Sequence, residues 1–378
     1  MHVCRIGLRT GRGLGVAAAV VALTAGLTQA LIASAEVGQS SNRPSQAKVA
    51  VLCIGSALPT LGGRNGNAVA VSSAGAVVGI ADDTSGVSRP VIWRGGKTTS
   101  LGVHLESAVP TSINRFGVVV GTGYDAASEM LVGWWWSDGT THALPVRRGD
   151  IALPEAIDDR GRVVGALVAD EEHSDGPGAD EDERAAVWTS VRVLPRELPA
   201  IPGQHAAHAF AIAADGTVGG VSLSGGGTPV LWDSRGRVHR LGTLNGKGGI
   251  VLGFNGRSDP VGQAAVSAGG THAVTWNGSG GAVDLGTLGA KKTSAANAAT
   301  SGVVVGSGDD SVAGGSVTQA VAWIAGKAHI LPPISQSRFR GAAGTANAVA
   351  QVSGASVVVG FSADAVGVRK PTTWSCEP

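Results

Sequence analysis

A short apolar phrase that ends in glycine recurs seven times along the chain, and this repeat constrains the fold more than any other feature. The phrase pairs small or β-branched residues with a glycine, as in Val77-Val78-Gly79, and its copies stand 42 to 54 residues apart. The glycines of the seven copies are Gly79, Gly121, Gly165, Gly219, Gly262, Gly306 and Gly360. Repeats of about 40 to 50 residues are typical of propellers and repeat arrays.

One tryptophan follows each phrase at a near-constant distance. These residues are Trp93, Trp136, Trp188, Trp232, Trp276, Trp323 and Trp374. Because a large flat side chain buries much area, we interpret them as fillers between neighbouring units. In the second unit Trp134 and Trp135 directly precede Trp136. Three consecutive strand residues must point to both faces of their sheet, so at least one of the three lies off the shared position.

The first unit shows the predicted strands in order. Asn67 to Ser72 alternates as a short strand, Ala76 to Ala81 returns, and Arg89 to Trp93 and Thr98 to Gly102 supply two more. No helical period of 3.6 residues occurs in the unit. Four short antiparallel strands used seven times predict an all-β, seven-bladed propeller. The glycine of the phrase is expected to let neighbouring blades approach closely.

The last unit ends too soon after Trp374 to hold a fourth strand, whereas 49–55 resembles the other closing strands. We therefore predict that this N-terminal strand completes the seventh blade and removes the open edge of the ring. The predicted propeller covers 49–378, with blades at about 58–102, 103–146, 147–196, 197–244, 245–289, 290–333 and 334–376 plus 49–55.

Residues 1–35 have the features of an export signal. Arg5, Arg9 and Arg12 precede an apolar stretch, and Ala33-Ser34-Ala35 is a small-x-small cleavage site. The alternative is an uncleaved membrane anchor over 14–35, which is nearly long enough to span a bilayer. Cleavage predicts a secreted, extracellular protein that begins with a short linker over 36–48.

Two cysteines, Cys53 and Cys376, remain after such cleavage. In an exported chain they predict one disulfide that joins the donated strand to the end of the chain. Aligning the blades by sequence places the two cysteines two or three residues out of direct opposition, so the register of the two strands stays open.

Charge excludes several classes of partner. Removing the three arginines of 1–35 from the 29 basic residues leaves 26, against 28 acidic ones. A chain this close to neutral is not expected to bind nucleic acid or an anionic membrane. We expect that the mature protein does not contact a membrane and that it is a monomer.

The units resemble the HAF-repeat family of secreted bacterial proteins. Ser112-Ile113-Asn114 with 117–121 matches the first half of its pattern, and 271–276 with 283–288 matches the second half. Most copies lack the His-Ala-Phe triplet that gives the family its name. The one literal copy, His208-Ala209-Phe210, falls in the first strand of its unit, which is not where the family pattern has the triplet. The resemblance implies a secreted propeller-like architecture and brings no catalytic residues.

Familiar catalytic motifs are missing from the sequence. It contains no His-Glu-x-x-His, no Walker loop, and no Gly-x-Ser-x-Gly in the context that a nucleophile elbow requires. His205 and His208 would point to opposite faces of a strand, which disfavours a shared metal. We predict no catalytic residues and no cofactor, and leave a metal site undecided.

Acidic residues follow the glycine phrase in most units. They are Asp82, Asp83, Asp125, Asp170, Asp309, Asp310 and Asp364. Equivalent loops of a propeller emerge on one face, so all of these except Asp170 are assigned to a candidate binding rim; the alternative is that aspartate is simply favoured in turns. The strongly acidic segment 170–184 lacks the ordered spacing of a calcium loop and is interpreted as a solvated insertion.

These observations favour a secreted, non-enzymatic binding or scaffold protein that holds an extracellular protein or glycan on one rim. Two alternatives stay open. One is an extracellular hydrolase or lyase with a site at the central channel, which would require carboxylates or histidines of the inner strands to converge. The other is a structural component of the cell envelope.

Overall fold

A computed structural model describes residues 53–170, 183–223, 226–267, 269–289, 293–312, 315–334, 343–363 and 367–376. The predicted signal peptide, the predicted linker, 49–52 and most of the acidic insertion lie outside these ranges. The described residues form 28 strands in seven four-stranded antiparallel sheets, which confirms the predicted seven-bladed propeller. None of the described residues belongs to a helix long and apolar enough to cross a membrane.

The strands follow the chain in order through the blades. Blades 1 and 2 contain β2 (Gly62–Val71), β3 (Val77–Asp83), β4 (Ser88–Arg94), β5 (Lys97–Ser100), β6 (Glu106–Ile113), β7 (Val119–Asp125), β8 (Met130–Ser137) and β9 (Thr140–Ala143). Blades 3 and 4 contain β10 (Asp150–Ile157), β11 (Val163–Ala169), β12 (Arg184–Trp188), β13 (Arg196–Glu197), β14 (Ala207–Ile212), β15 (Val218–Ser222), β16 (Thr228–Trp232) and β17 (Val238–Arg240). Blades 5 and 6 contain β18 (Asn245–Phe254), β19 (Pro260–Val266), β20 (Thr271–Trp276), β21 (Ala282–Gly286), β22 (Ser294–Ala299), β23 (Val303–Val312), β24 (Gly315–Ile324) and β25 (Lys327–Ile330). Blade 7 contains β26 (Gly344–Val352), β27 (Ala355–Ala363), β28 (Arg369–Cys376) and, from the start of the described chain, β1 (Cys53–Ala57).

The ring closes as predicted. β1 pairs antiparallel with β28 at the outer edge of blade 7, and Cys53 lies directly opposite Cys376. The two cysteines form a disulfide, with their Cα atoms 4.1 Å apart. The register that the sequence alignment left open is therefore a direct pair, without an offset.

The first strand of each blade is the innermost one. These seven strands contact one another in sequence around the ring, and β26 contacts β2 to complete the circle. Asn347 of β26 strengthens this last junction, because its side-chain amide donates to Asn67 Oδ1 and to the carbonyl of Ala68, both at 2.8 Å.

The apolar core is divided into seven clusters, each between two neighbouring blades. Every repeated tryptophan belongs to the cluster that its blade shares with the preceding blade, as the interpretation as fillers predicts. Trp135 lies in the cluster between blades 2 and 3, while Trp134 and Trp136 lie in the cluster between blades 1 and 2. The three consecutive tryptophans thus point to both faces of β8.

The repeated tryptophans also fix the blades to each other by a hydrogen bond. In five blades the indole N–H donates to a backbone carbonyl in the loop that enters the blade, at 2.7 to 2.8 Å. In blade 1, Trp93 donates to Pro59 at 2.7 Å. The indole N–H of the buried Trp136 finds no acceptor among the described residues.

The repeated glycine has a different role from the one expected. Every innermost strand carries a β-bulge directly opposite this glycine, within the same blade. A Cβ on Gly165 would collide with the carbonyl oxygen of Leu153 on β10, and the other blades repeat this geometry. In blade 4 the residue in this position is Gly220, one residue after the glycine that the sequence pattern selects. The glycine therefore allows the bulge of the innermost strand, and the contact that requires it lies inside its own blade.

Candidate functional site

Each bulge adds one residue to an innermost strand, and four of the seven bulge side chains form polar contacts with the next blade. The bulge residues are Val69, Thr111, Glu155, Phe210, Leu252, Asn297 and Asn347. Thr111 donates from Oγ1 to the carbonyl of Pro154 at 2.8 Å, and Asn297 donates from Nδ2 to the carbonyl of Ala346 at 2.9 Å. These neutral hydrogen bonds, like that of Asn347, join one inner strand to the next.

The junction between blades 3 and 4 is charged instead of neutral. Glu155, the bulge residue of β10, lies with Oε1 3.2 Å from Nε2 of His208 on β14. Glu183, the residue before β12, lies with Oε1 2.6 Å from the other ring nitrogen, Nδ1. Both nitrogens of one imidazole therefore face carboxylates of the preceding blade. We call these three residues the Glu–His–Glu cluster.

The Glu–His–Glu cluster is well shielded from solvent. The side chains of His208 and Glu155 are 3% and 7% exposed, whereas that of Glu183 is 16% exposed and is the most accessible of the three. The backbone also holds Glu183 at this junction, because its carbonyl accepts from the N–H of Ala207 at 2.9 Å. The neighbouring Arg184 ties the same strand to Asp150 and Glu197 within blade 3.

Electrostatics keep the histidine charged. Burial alone would lower the pKa of His208, but Glu183 and Glu155 outweigh burial and raise it to about 10. Burial raises the pKa of Glu155, and the hydrogen bond and charge of His208 oppose that rise. At neutral pH His208 is thus an imidazolium whose two N–H groups donate to the carboxylates.

A cluster of this kind can move protons. His208 bonds to Oε1 of Glu183, and among the described residues no hydrogen bond is found for Oε2, which can therefore meet a water or a substrate hydrogen. Strongly perturbed titratable groups with a specific partner are typical of functional sites, although structural ion pairs also perturb pKa values. In the part of the chain that is described, no group of three or more His, Cys, Asp or Glu residues is arranged to hold a metal ion.

The described aspartates of the predicted rim each have partners close to their own loops. Asp82 is buried and accepts from the backbone and side chain of Asn65 and from Ser88 Oγ. Burial would raise its pKa, but these hydrogen bonds lower it below the usual value. Asp83 accepts from Ser85, Val87 and Arg89, and the hydrogen bond from Ser85 leads in lowering its pKa to about 2.

Asp125 and Asp309 also form hydrogen bonds within their own blades. Asp125 accepts from Ala127 N and Ser128 Oγ, which lowers its pKa. Asp309 accepts from Thr293 and Thr318 of its own blade, and Asp310 also has an interaction partner. Asp364 lies outside the described residues. The hydrogen bonds of Asp82, Asp83, Asp125 and Asp309 stay within their own blades, and a shared rim site stays a prediction.

Sequence reasoning missed the Glu–His–Glu cluster. It treated His208 as the partner of His205, which is exposed, and as part of a His-Ala-Phe triplet at the wrong phase, and it did not consider Glu155. Glu183 was counted only among the acids of the insertion. A signal was nevertheless available, since Glu155 is the single charged residue among the seven bulge positions.

Neither a family model nor a curated protein matches the sequence, so membership of the HAF-repeat family stays a prediction. Among solved structures, the chain is similar to puromycin hydrolase, with a TM-score of 0.54 and 15% identity over 82% of this chain and 51% of that one. Puromycin hydrolase complexed with PGG gives a TM-score of 0.52 at 15% identity, covering 82% of this chain and 53% of that one. A gluconolactonase from Xanthomonas campestris covers 72% of this chain and 91% of its own at 12% identity, with a TM-score of only 0.38.

The likeness to puromycin hydrolase shows a shared fold, and this chain spans about half the length of that protein. A fold shared with hydrolases corrects the prediction of a non-enzymatic binding or scaffold protein. That prediction was wrong because it took missing motifs as evidence against an enzyme, whereas one fold supports many functions and the site has to decide. The hydrolase alternative required inner-strand groups to converge at the central channel, and the Glu–His–Glu cluster meets this only in part: Glu155 and His208 lie on inner strands, whereas Glu183 precedes β12, the third strand of its blade.

Proposed function

We propose that the chain is a hydrolase of esters or amides that uses the Glu–His–Glu cluster to activate water. The observation that carries the proposal is the convergence of two carboxylates on one buried imidazolium at the junction between blades 3 and 4. Burying a charge costs free energy. Where bulge side chains of other blades form hydrogen bonds to the next blade, they do so with neutral groups, so the charged groups at this junction call for a reason. The fold of puromycin hydrolase, named for a hydrolytic activity, supports the same reaction class.

The proposed reaction divides the roles by exposure. Glu183, the most accessible carboxylate, accepts a proton from water while the water oxygen bonds to the carbonyl carbon of the substrate. The bond to the leaving oxygen or nitrogen then breaks, and Glu183 returns the proton to that atom. His208 stays protonated throughout, orients Glu183, and offsets the negative charge of the pair. Glu155 is the buried counter-ion that keeps His208 charged.

The test is hydrolysis by the purified chain with its disulfide intact. The probes are p-nitrophenyl acetate for esters, and an aminoacyl p-nitroanilide and puromycin for amides. Glu183→Gln keeps the shape of the side chain and removes the base, so we expect a loss of about 100-fold or more in kcat. The matched control is Glu197→Gln, which alters another glutamate of blade 3 that pairs with Arg184.

Two results would overturn the proposal. One is the absence of hydrolysis above the buffer blank for all three probes. The other is an equal rate for Glu183→Gln and the parent chain, with circular dichroism showing that both are folded. A loss in Glu197→Gln as large as that in Glu183→Gln would assign the effect to the stability of blade 3 and would also count against the proposal.

We also propose that the chain is exported and works outside the cytoplasm. The disulfide between Cys53 and Cys376 supports this, because disulfides persist in oxidising compartments. The signal-like pattern over 1–35 supports it further. N-terminal sequencing of the protein recovered outside the cytoplasm should begin at Glu36, and recovery only in the cytoplasm with both thiols free would contradict the proposal.

A further inference from the structure

We propose that Phe210 is a positioning residue, which holds the imidazole of His208 in the one plane that directs its two N–H groups to Glu155 and Glu183. The inference rests on the proposed function for its catalytic consequence, and on geometry alone for the positioning itself.

The contact between the two rings is a parallel stack. The ring centroids of His208 and Phe210 lie 4.2 Å apart, and the planes differ by only 6°. Phe210 is the bulge residue of β14, two positions after His208, and its side chain is buried like that of His208. The stack shows that the two side chains lie on the same side of β14, with their rings face to face.

Phe210 is the only aromatic residue among the seven bulge positions, and it stacks on the histidine of the charged junction between blades 3 and 4. The other bulge residues are Val69, Thr111, Glu155, Leu252, Asn297 and Asn347. Blade 5 has the aliphatic Leu252 at the same position. The aromatic ring is therefore placed where its flat face has a specific use.

The stack has two physical effects on the imidazolium. The face of an aromatic ring attracts a cation, so the charged form of His208 is favoured. A parallel neighbour also resists rotation of the imidazole about χ2, and such a rotation would break the hydrogen bonds to Glu155 and Glu183 together. The charged groups that face His208 are these two glutamates, on the side of β10 and of β12. Phe210 covers one face of the ring itself.

The experiment compares Phe210→Leu with Phe210→Tyr in the full chain. Leucine keeps an apolar residue of similar size and removes the ring, whereas tyrosine retains the stacking face. The first readout is the pKa of His208, which is measured from the NMR chemical shift of its ring proton between pH 7 and pH 11. We expect Phe210→Leu to lower this pKa by about 1, and Phe210→Tyr to keep the parent value. Leu252→Ala, a truncation at the bulge of blade 5, serves as the control and should leave it unchanged.

The second readout is hydrolysis of p-nitrophenyl acetate. We expect Phe210→Leu to lower kcat about 10-fold or more with KM nearly unchanged, and to shift the alkaline limb of the pH profile to lower pH. An unchanged pKa of His208 in Phe210→Leu would overturn the positioning role, whatever the activity. If Phe210→Leu does not fold, Phe210→Met replaces it under the same criterion.

The two proposals can fail separately. A chain without hydrolytic activity whose His208 pKa falls in Phe210→Leu would refute the proposed function and leave the positioning role standing. An active chain whose His208 pKa does not move would do the reverse.

Discussion

Alkaline pH should destabilise this propeller through one histidine. The pKa of His208 is raised from the ordinary value of 6.5 to about 10 in the folded chain, because Glu183 and Glu155 outweigh the effect of burial. A group whose pKa is raised by folding stabilises the folded state fully below its unfolded pKa. That contribution is lost as pH rises through the folded pKa. The free energy of unfolding should therefore fall between about pH 6.5 and pH 10.

The size of the effect can be bounded from the structure. Each pKa unit corresponds to about 1.4 kcal/mol, so a difference of about 3.5 units sets an upper limit of about 5 kcal/mol. Removal of one partner from a buried ion pair costs about 3 to 5 kcal/mol, which gives the same range. We expect a loss of about 3 kcal/mol, below this limit, because water entering at the partly exposed Glu183 weakens the interaction.

The assay is urea denaturation at intervals between pH 6 and pH 10, with the disulfide intact and the midpoint followed by tryptophan fluorescence. His208→Gln removes the titrating group and should flatten the profile over this range, besides being less stable at pH 7. His205→Gln, a change at the exposed histidine three residues earlier, is the matched control and should follow the parent chain. Parallel profiles for the parent chain and His208→Gln would refute the electrostatic account of the Glu–His–Glu cluster.

Three further predictions concern the ring. Cys53→Ser opens a cross-link that spans 323 positions, so unfolding should become easier by about 5 kcal/mol in chemical denaturation; an unchanged midpoint would show that β1 and β28 hold without it. Trp93→Phe removes an indole N–H that donates to a backbone carbonyl, whereas Trp136→Phe removes an indole N–H without a described acceptor. The free energy of unfolding should therefore fall by about 1 to 2 kcal/mol more in Trp93→Phe, and equal losses in the two variants would contradict this. Gly165→Ala forces a Cβ against backbone and should cost about 3 kcal/mol or more, while Gly278→Ala meets open space and should be nearly neutral; thermal melts would show two similar values if the bulge were adaptable.

The architecture was predictable because it is repeated. Seven tryptophans at one phase could be interpreted as fillers, since any residue needed once per blade returns at the period of the blade. The strand missing after Trp374 had one counterpart, at the start of the predicted propeller, so closure and the Cys53–Cys376 pair followed. The role of the glycine was not predictable in this way. The repeat period shows that each blade requires a glycine, but it does not show which backbone segment lies against that glycine. The bulge on the neighbouring strand has no sequence pattern of its own.

The Glu–His–Glu cluster was hidden for the opposite reason, because it occurs once. Its members are separated by 25 to 53 positions along the chain, and they meet because Glu155 and His208 lie on adjacent inner strands. A pattern search for motifs close in sequence cannot detect such a group. Alignment of the blades on the glycine opposite the bulge would place Glu155 among residues that are otherwise neutral, and a charged residue there needs a partner. If the proposed function is right, the residues that break the repeat at inner positions are the better guide to the site of a repeat protein. By that criterion Glu155 and Phe210, and not the aspartates of the loops, were the residues to examine.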